Sequence, residues 1–320
     1  MSGPVTPEDA PAAPGRSECS DHPVVEITPS HVARVGSLTV RRALPRRARR
    51  TVGPWCFADH MGPAVVTEEA GVEIGPHPHI GLQTATWLVA GEILHRDSLG
   101  SEQVIRPGQL NLMTAGHGVS HSEESTGRRG SLHGMQLWIA QPEATRHGSA
   151  AFEHHGDLPA VELDHATVTV IIGDLGDLGD LGHVSSPARR DTDHVGLELS
   201  LRPGESVVPM RREREHALVV MDGAITVGSS VVEAGALAYL GLGRDELAVS
   251  ADGPATALLI GGVPWDEELI MWWNFVARTR DEISAAYGDW AAASERFGTV
   301  DSRLDRIPTS PPPWAPSSAD

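Results

Sequence analysis

Two short segments of the chain place metal-capable side chains two residues apart: His77-Pro78-His79 and His121-Ser122-Glu123. In an extended strand successive side chains alternate faces, so residues two apart point the same way. Pro78 disfavours a helix, and His77, preceding a proline, is biased towards the β region. Two such strands side by side would converge three imidazoles and one carboxylate on one point. Three neutral nitrogens and one anionic oxygen suit an imidazole-friendly divalent metal: Fe, Mn, Ni, Cu or Zn. Four protein ligands leave two positions open on an octahedral ion, and open positions admit dioxygen or a substrate. The chain has 16 histidines, so His-x-His pairs arise easily by chance. The coincidence of two dyads in one β-rich region is what points to a metal.

Other side chains compete for roles. His60, His95, His117 and His133 lie in the same region. His95, followed by Arg96-Asp97, reads as a satisfied polar residue on an outer face. His117, in the Gly-rich AGHGVSH turn, reads as facing the pocket without binding the ion. His154 and His155 fall in a polar stretch and read as solvated. One of these histidines could orient a ligand imidazole through its other ring nitrogen. Glu73 and Gln83, near the first dyad, are candidates for substrate contact.

The dyads need strands to carry them. Gly and Pro, 34 and 24 of them, punctuate the chain between short β-leaning runs such as SLTVRR, TATWLVA, MQLWIA and ATVTVII. That rhythm is all-β, a sandwich or barrel. LVAGEI from Leu88 is echoed by VMDGAI from Val220, and each is followed by a second glycine turn. The echo predicts two similar β domains in tandem, joined within the polar stretch Gln141 to Leu158. The boundaries drawn are a loose tail over 1–25, a metal-binding domain over 26–145, a second domain over 146–298, and a Pro-rich disordered tail over 299–320. Thr279-Arg280-Asp281-Glu282 has capping-box spacing. The run that follows predicts one helix, with Ile283, Ala286, Tyr287, Trp290 and Phe297 on one face and Gly298 at its end. GDLGDLGDLGH from Gly173 lacks the nonapeptide calcium period and reads as a flexible surface loop.

Composition narrows the partners. The 25 basic residues are all arginine, against 43 acidic ones, for a net charge of −18. Such a surface repels nucleic acid and anionic membranes. Arg41 to Arg50 is a local exception, read as an edge strand and turn with solvated charge. Cys19 and Cys56 lie in unlike contexts and do not form a disulfide framework, which implies a reducing, cytoplasmic compartment. No 18-residue apolar run exists, and the first 25 residues lack signal-peptide order, so neither membrane nor export is expected.

At these residues the chain resembles the pirin family, within the bicupin part of the cupin superfamily. The resemblance runs through HVARVGSLTVRRALP, VGPWCFADHMGP, the segment HPHIGLQTATWLVAGEILHRDSLGSEQVIRPGQLNLMTAGHGVSHSEES, LHGMQLWIA and the C-terminal GGVPWDEELIMWWNFVARTRDEISAAYGDWAAASERFG. It implies two tandem cupin-type β-barrels and an iron(II) ion in the first, held by His77, His79, His121 and Glu123. It implies no metal in the second barrel, where MRREREHALVVMDG offers only His216. Two positions depart from the pattern. Gln83 stands where a general cupin carries a glutamate ligand, so Glu123 supplies the carboxylate, and His117 stands in place of an arginine. The resemblance implies either of two functions. One is a quercetinase-type dioxygenase acting on a small flavonol- or catechol-like aromatic, with Glu123 as ligand and proton acceptor. The other is a redox-sensitive regulator that binds a protein partner; for that role the arginine cluster at Arg41 to Arg50 is the candidate contact surface.

Overall fold

A computed structural model describes residues 19–67, 71–177 and 182–315. Each half of the chain builds a seven-stranded antiparallel sheet facing a four-stranded one. In the first half the large sheet is centred on Leu82–Ala90, Gly130–Ala140 and Trp55–Val66, and the small sheet runs Glu73–His79, Val119–Glu124, Ile93–Asp97, Glu102–Ile105. The second half repeats the plan around Glu215–Asp222, Ala255–Gly262 and His194–Leu201. The protein is therefore all-β, two cupin-type barrels in tandem, followed by one α-helix.

The central strands read as nearly continuous apolar runs because both of their faces are buried. Along Gly130–Ala140, Met135, Leu137 and Ile139 point away from their own barrel. There they join Val219, Leu258 and Ile260 of the other large sheet in one shared core. The alternate residues Gln136 and Trp138 point into the first barrel. Each large aliphatic side chain so buried contributes roughly 1.5–3 kcal/mol, which makes the sheet-on-sheet contact a structural core. Polar clasps cross it as well. The indole N–H of Trp55 donates to the carbonyl of Gly261 at 3.0 Å. The buried Glu215 carboxylate accepts from the Gly53 N–H and the Tyr239 hydroxyl, both at 2.6 Å.

The barrels also exchange edge strands. Glu26–Pro29 pairs with Ala236–Gly241 of the second barrel, and Ala151–His155 pairs with Leu110–Thr114 of the first. The exchanged strands thus lie on either side of the division drawn between 145 and 146, each covering an edge that would otherwise be open.

Four sequence expectations change. The arginine run is not an outer edge: Leu38–Leu44 lies between His31–Val35 and Trp55–Val66. Arg42 makes two 2.8 Å bonds to Asp59, Arg41 reaches His60 and the Gly62 carbonyl, and Arg49 lies over the Tyr239 ring. The Gly-Asp repeat is not simply a loose loop. Asp174–Asp177 pairs with His183–Ser185, and the buried Asp174 carboxylate binds Arg190, Arg211 and Arg214; residues 178–181 lie outside the described ones. The helix is Arg280–Ala291, with the Thr279–Glu282 capping box formed, but it stops before Gly298. Ala293 adopts φ 52°, and Phe297 follows in a separate short 3-10 turn.

The Pro-rich tail, expected to be disordered, packs down over 299–315. The Ile307 N–H donates to the Pro76 carbonyl at 2.9 Å, and the Trp290 indole donates to the Ile307 carbonyl at 3.0 Å. Arg303 pairs with Glu73 and Glu124, and Trp314 reaches the Ser284 hydroxyl. The tail is a strap along Glu73–His79, and it passes close over Gly75, where an added Cβ would sit 2.1 Å from the Asp305 carbonyl oxygen.

Gly75→Ala is therefore expected to lift the strap. Limited trypsin digestion should cleave the variant at Arg303 or Arg306 well before the parent; equal cleavage rates would show that the strap is not seated through that contact.

Candidate metal centre

The two dyads sit on neighbouring antiparallel strands. Val119–Glu124 lies between Glu73–His79 and Ile93–Asp97, with His121 opposite His77 on one side and Asp97 on the other. Residues directly opposite share a face and lie within reach of one another. The pairing slips between His121 and Glu123, so that Glu123 opposes Ile74. Glu73–His79 thus carries one extra residue, a bulge around Gly75 and Pro76. A bulge re-aims the side chains beyond it, and Ile74, His77 and His79 all line the barrel interior.

One ring nitrogen from each of His77, His79 and His121 lies within 4.8 Å of the other two, and all three residues are buried. The ring centroids of His77 and His121 are 4.3 Å apart. The outward nitrogens are anchored. His77 Nδ1 donates to the Gly75 carbonyl at 2.9 Å and His79 Nδ1 to the Asn274 carbonyl at 3.0 Å. Asn274 comes from the turn between Ile270–Trp272 and Phe275–Ala277, where Trp273 takes up φ 52°. A carbonyl only accepts, so these bonds leave the Nε2 lone pairs of both imidazoles for the barrel interior. Burial pushes His77 down to about 3, and burial together with neighbouring imidazoles holds His79 and His121 well below the ordinary histidine value. The three rings are neutral at physiological pH. His79 Nε2 faces His121 Nε2 at 3.1 Å. Nitrogens bound about 2.1 Å from one ion stand about 3 Å apart when cis, so the residues present fit a divalent transition metal.

The cluster lines a cavity of about 400 Å³, counted out to its mouth and into open solvent, with room inside for about one water molecule. Leu38, Val40, Met61 and Ile74 make its apolar wall, with Phe57 and Trp138 stacked 4.1 Å apart. Glu123 lines the same cavity, 6% exposed, but its carboxylate is outside the group of atoms within 4.8 Å of one another. Burial pushes it up to about 7. It is poised to accept a proton near neutral pH.

The other sequence candidates disperse. His117 is exposed, its carbonyl accepting from Arg296, and it does not face the cavity. Glu73 pairs with Arg303 and Gln83 donates to Thr114, so neither lines the cavity. His60 and His133 bond each other at 2.7 Å, His154 binds Asn111, and His155 binds Glu153. His95 is buried rather than outward, within 3.3 Å of His121 and 3.1 Å of Asp97. Its His-x-Asp spacing repeats the two-residue rule that marks the dyads and was the available signal. The cavity residues Asp59, Gln136 and Trp138 and the Asn274 carbonyl carry no such local signature. In the second barrel, His216 shares a small cavity with Arg214, whose buried guanidinium bonds Asp174 and Asp193. The Arg211 and Arg214 guanidiniums meet the Asp174 carboxylate in that cavity.

Comparison with known proteins agrees in both halves. The family model described as Pirin matches residues 37–139, and that of the Pirin C-terminal cupin domain matches residues 196–298. A protein of Pseudomonas aeruginosa bearing the provisional name quercetin 2,3-dioxygenase is 42% identical over 299 residues, 93% of each chain. A pirin-like protein of Caulobacter vibrioides is 36% identical over 83% of this chain and 93% of its own. The crystal structure of a quercetin 2,3-dioxygenase from Acinetobacter baumannii superposes with a TM-score of 0.85 at 38% identity, covering 90% of this chain and 95% of that one. The pirin YhhW of Escherichia coli, solved in complex with nickel(II), shares the fold at 19% identity and a TM-score of 0.60, over 76% of this chain and all of that one.

The Glu123 carboxyl makes stability depend on pH in the metal-free protein. Between its ordinary 4.5 and about 7, the folded state keeps a proton that the unfolded chain has released. Its contribution to stability therefore falls as pH rises across that window and is constant above it. The buried histidines act in the opposite sense; for His77, stability is lost as pH falls from 6.5 towards about 3. Glu123→Gln isolates the carboxyl. Relative to the parent, the variant should gain up to about 3 kcal/mol between those two pH values, read from urea unfolding at a series of pH values. A pH-independent difference would show that Glu123 titrates normally.

Proposed function

The chain belongs to the pirin family, and on that premise we propose that it is a metal-dependent dioxygenase of the quercetinase type, acting on flavonol- or catechol-like aromatics. The observation that carries the reading is a partly open, largely apolar cavity lined by three buried, neutral, pre-oriented imidazoles. In it His77, His79 and His121 hold the ion, iron(II) in this proposal, and Glu123 supplies the carboxylate. The ion, when bound, supplies a Lewis acid with open positions that brings dioxygen and an oxygen-chelating substrate together.

The chain's own residues account for the rest. Glu123, with its carboxyl near neutrality, accepts the proton of the substrate hydroxyl that approaches the ion. Phe57 and Trp138 offer a stacked aromatic wall for a flat ring system. Leu38, Val40 and Met61 exclude water and lower the local dielectric, which strengthens each polar contact inside. The free space inside takes about one water molecule, so a flavonol enters only as wall side chains move aside. The regulator reading asks for a shallow site and a free arginine surface. The buried histidines and the internal bonds of Arg41, Arg42 and Arg49 favour the enzyme.

Metal analysis of protein purified without added metal, followed by oxygen uptake over a panel of flavonols and catechols, tests the proposal. His121→Ala should lose bound metal to near background with an unchanged circular dichroism spectrum, and should lose turnover with it. His216→Ala should keep both. Stoichiometric metal in His121→Ala would overturn the ligand set. Absence of oxygen uptake, together with a protein partner whose affinity follows the oxidation state of the iron, would replace the enzyme with the regulator.

A further inference from the structure

We propose that Asp97 and His95 form a positioning relay that holds His121 in the tautomer whose Nε2 lone pair faces His77 and His79. Its purpose rests on the metal-centre reading above; its geometry does not.

The relay starts from a carboxylate that can only accept. Asp97 Oδ1 takes the backbone N–H groups of Leu99 at 2.9 Å and Ser101 at 3.0 Å, which fix its orientation. Its Oδ2 lies 3.1 Å from His95 Nε2. A lone pair placed against a carboxylate oxygen repels, so His95 carries its hydrogen on Nε2 and donates it. Phe152, stacked at 4.4 Å and 15°, holds the His95 ring in plane. His95 Nδ1 is left as an acceptor, and it faces His121 Nδ1 at 3.3 Å. His121 therefore donates from Nδ1, and its Nε2 presents a lone pair 3.1 Å from His79 Nε2. That second nitrogen is itself unprotonated, because His79 Nδ1 donates to the Asn274 carbonyl. Two lone pairs facing each other in a buried site call for a cation between them.

Strand position explains why a relay is needed. His77 and His79 find backbone carbonyls, Gly75 in a bulge and Asn274 in a turn, where the ladder leaves acceptors spare. His121 sits on a strand paired on both sides. A regular ladder uses its carbonyls, so the acceptor for His121 comes from a side chain. His95 and Asp97 share the His121 face because His121 opposes Asp97 and Glu123 opposes His95. The anion at the end of the relay also raises the basicity of His121 Nε2 as a ligand.

Proton–nitrogen correlation spectra of metal-free protein labelled with ¹⁵N-histidine read the tautomer directly. The parent should carry the His121 proton on Nδ1. His95→Leu and Asp97→Asn should release that preference and weaken Ni(II) and Fe(II) binding by about 10- to 100-fold in competition with a chromogenic chelator. His95→Gln should restore both, since its amide donates from Nε2 to Asp97 and accepts through Oε1 from His121. A parent His121 protonated on Nε2 would overturn the relay. So would His95→Leu binding metal as tightly as the parent, or a folded His95→Gln binding as weakly as His95→Leu. A parent that binds no metal would sink the metal reading, while the tautomer would still decide the relay.

Discussion

The site depends on one pairing register, that of Val119–Glu124 against Glu73–His79. With His121 opposite His77, the two-residue period of each strand brings His79 and Glu123 onto the same interior face. A slip of one residue would turn one dyad to the outside and leave imidazoles facing the solvent. The register is held by long-range contacts rather than by a tight turn. The bulge at Gly75 is seated against the C-terminal strap, and the Ser120 hydroxyl donates to the Phe297 carbonyl at 2.7 Å. The helix and tail thus brace the metal strands from outside, although they stand far from them in sequence.

The second barrel contributes scaffold. Its large sheet buries the outer face of the first barrel's large sheet, so strands such as Gly130–Ala140 are fixed from behind while Gln136 and Trp138 line the cavity. Its own interior spends its polar positions on an internal ion cluster around Asp174 and on the domain clasp at Glu215. Breaking such buried pairs on one side leaves an uncompensated charge, so these contacts help hold the second barrel in place behind the first.

What the sequence made legible is what local periodicity encodes. HPH and HSE announce their faces by spacing alone, and Thr279-Arg280-Asp281-Glu282 announces its cap. The exchanged strands Glu26–Pro29 and Ala151–His155 were not legible, because a short strand does not say which sheet it joins. The strap was misread for a related reason: proline-rich composition argues against helix and sheet but not against an extended segment lying in a groove. Arg41, Arg42 and Arg49 looked like solvated charge because their acceptors, the Gly62 carbonyl, Asp59 and Glu26, come from other strands. His95 was taken for an outer residue although its spacing to Asp97 follows the same rule as the dyads.

Burial gives the arrangement its chemical character. In water, three imidazoles would spend part of their time protonated, and a glutamate would be ionised. Here desolvation strips protons from the histidines and returns one towards Glu123. The interior therefore starts with lone pairs available to a cation and a carboxyl balanced between its two states. A bound divalent ion would shift that balance, since a nearby positive charge favours the ionised carboxylate. Loading the site and readying Glu123 to take a proton are then one electrostatic event, and the apolar wall of Leu38, Val40 and Met61 keeps it undiluted by solvent.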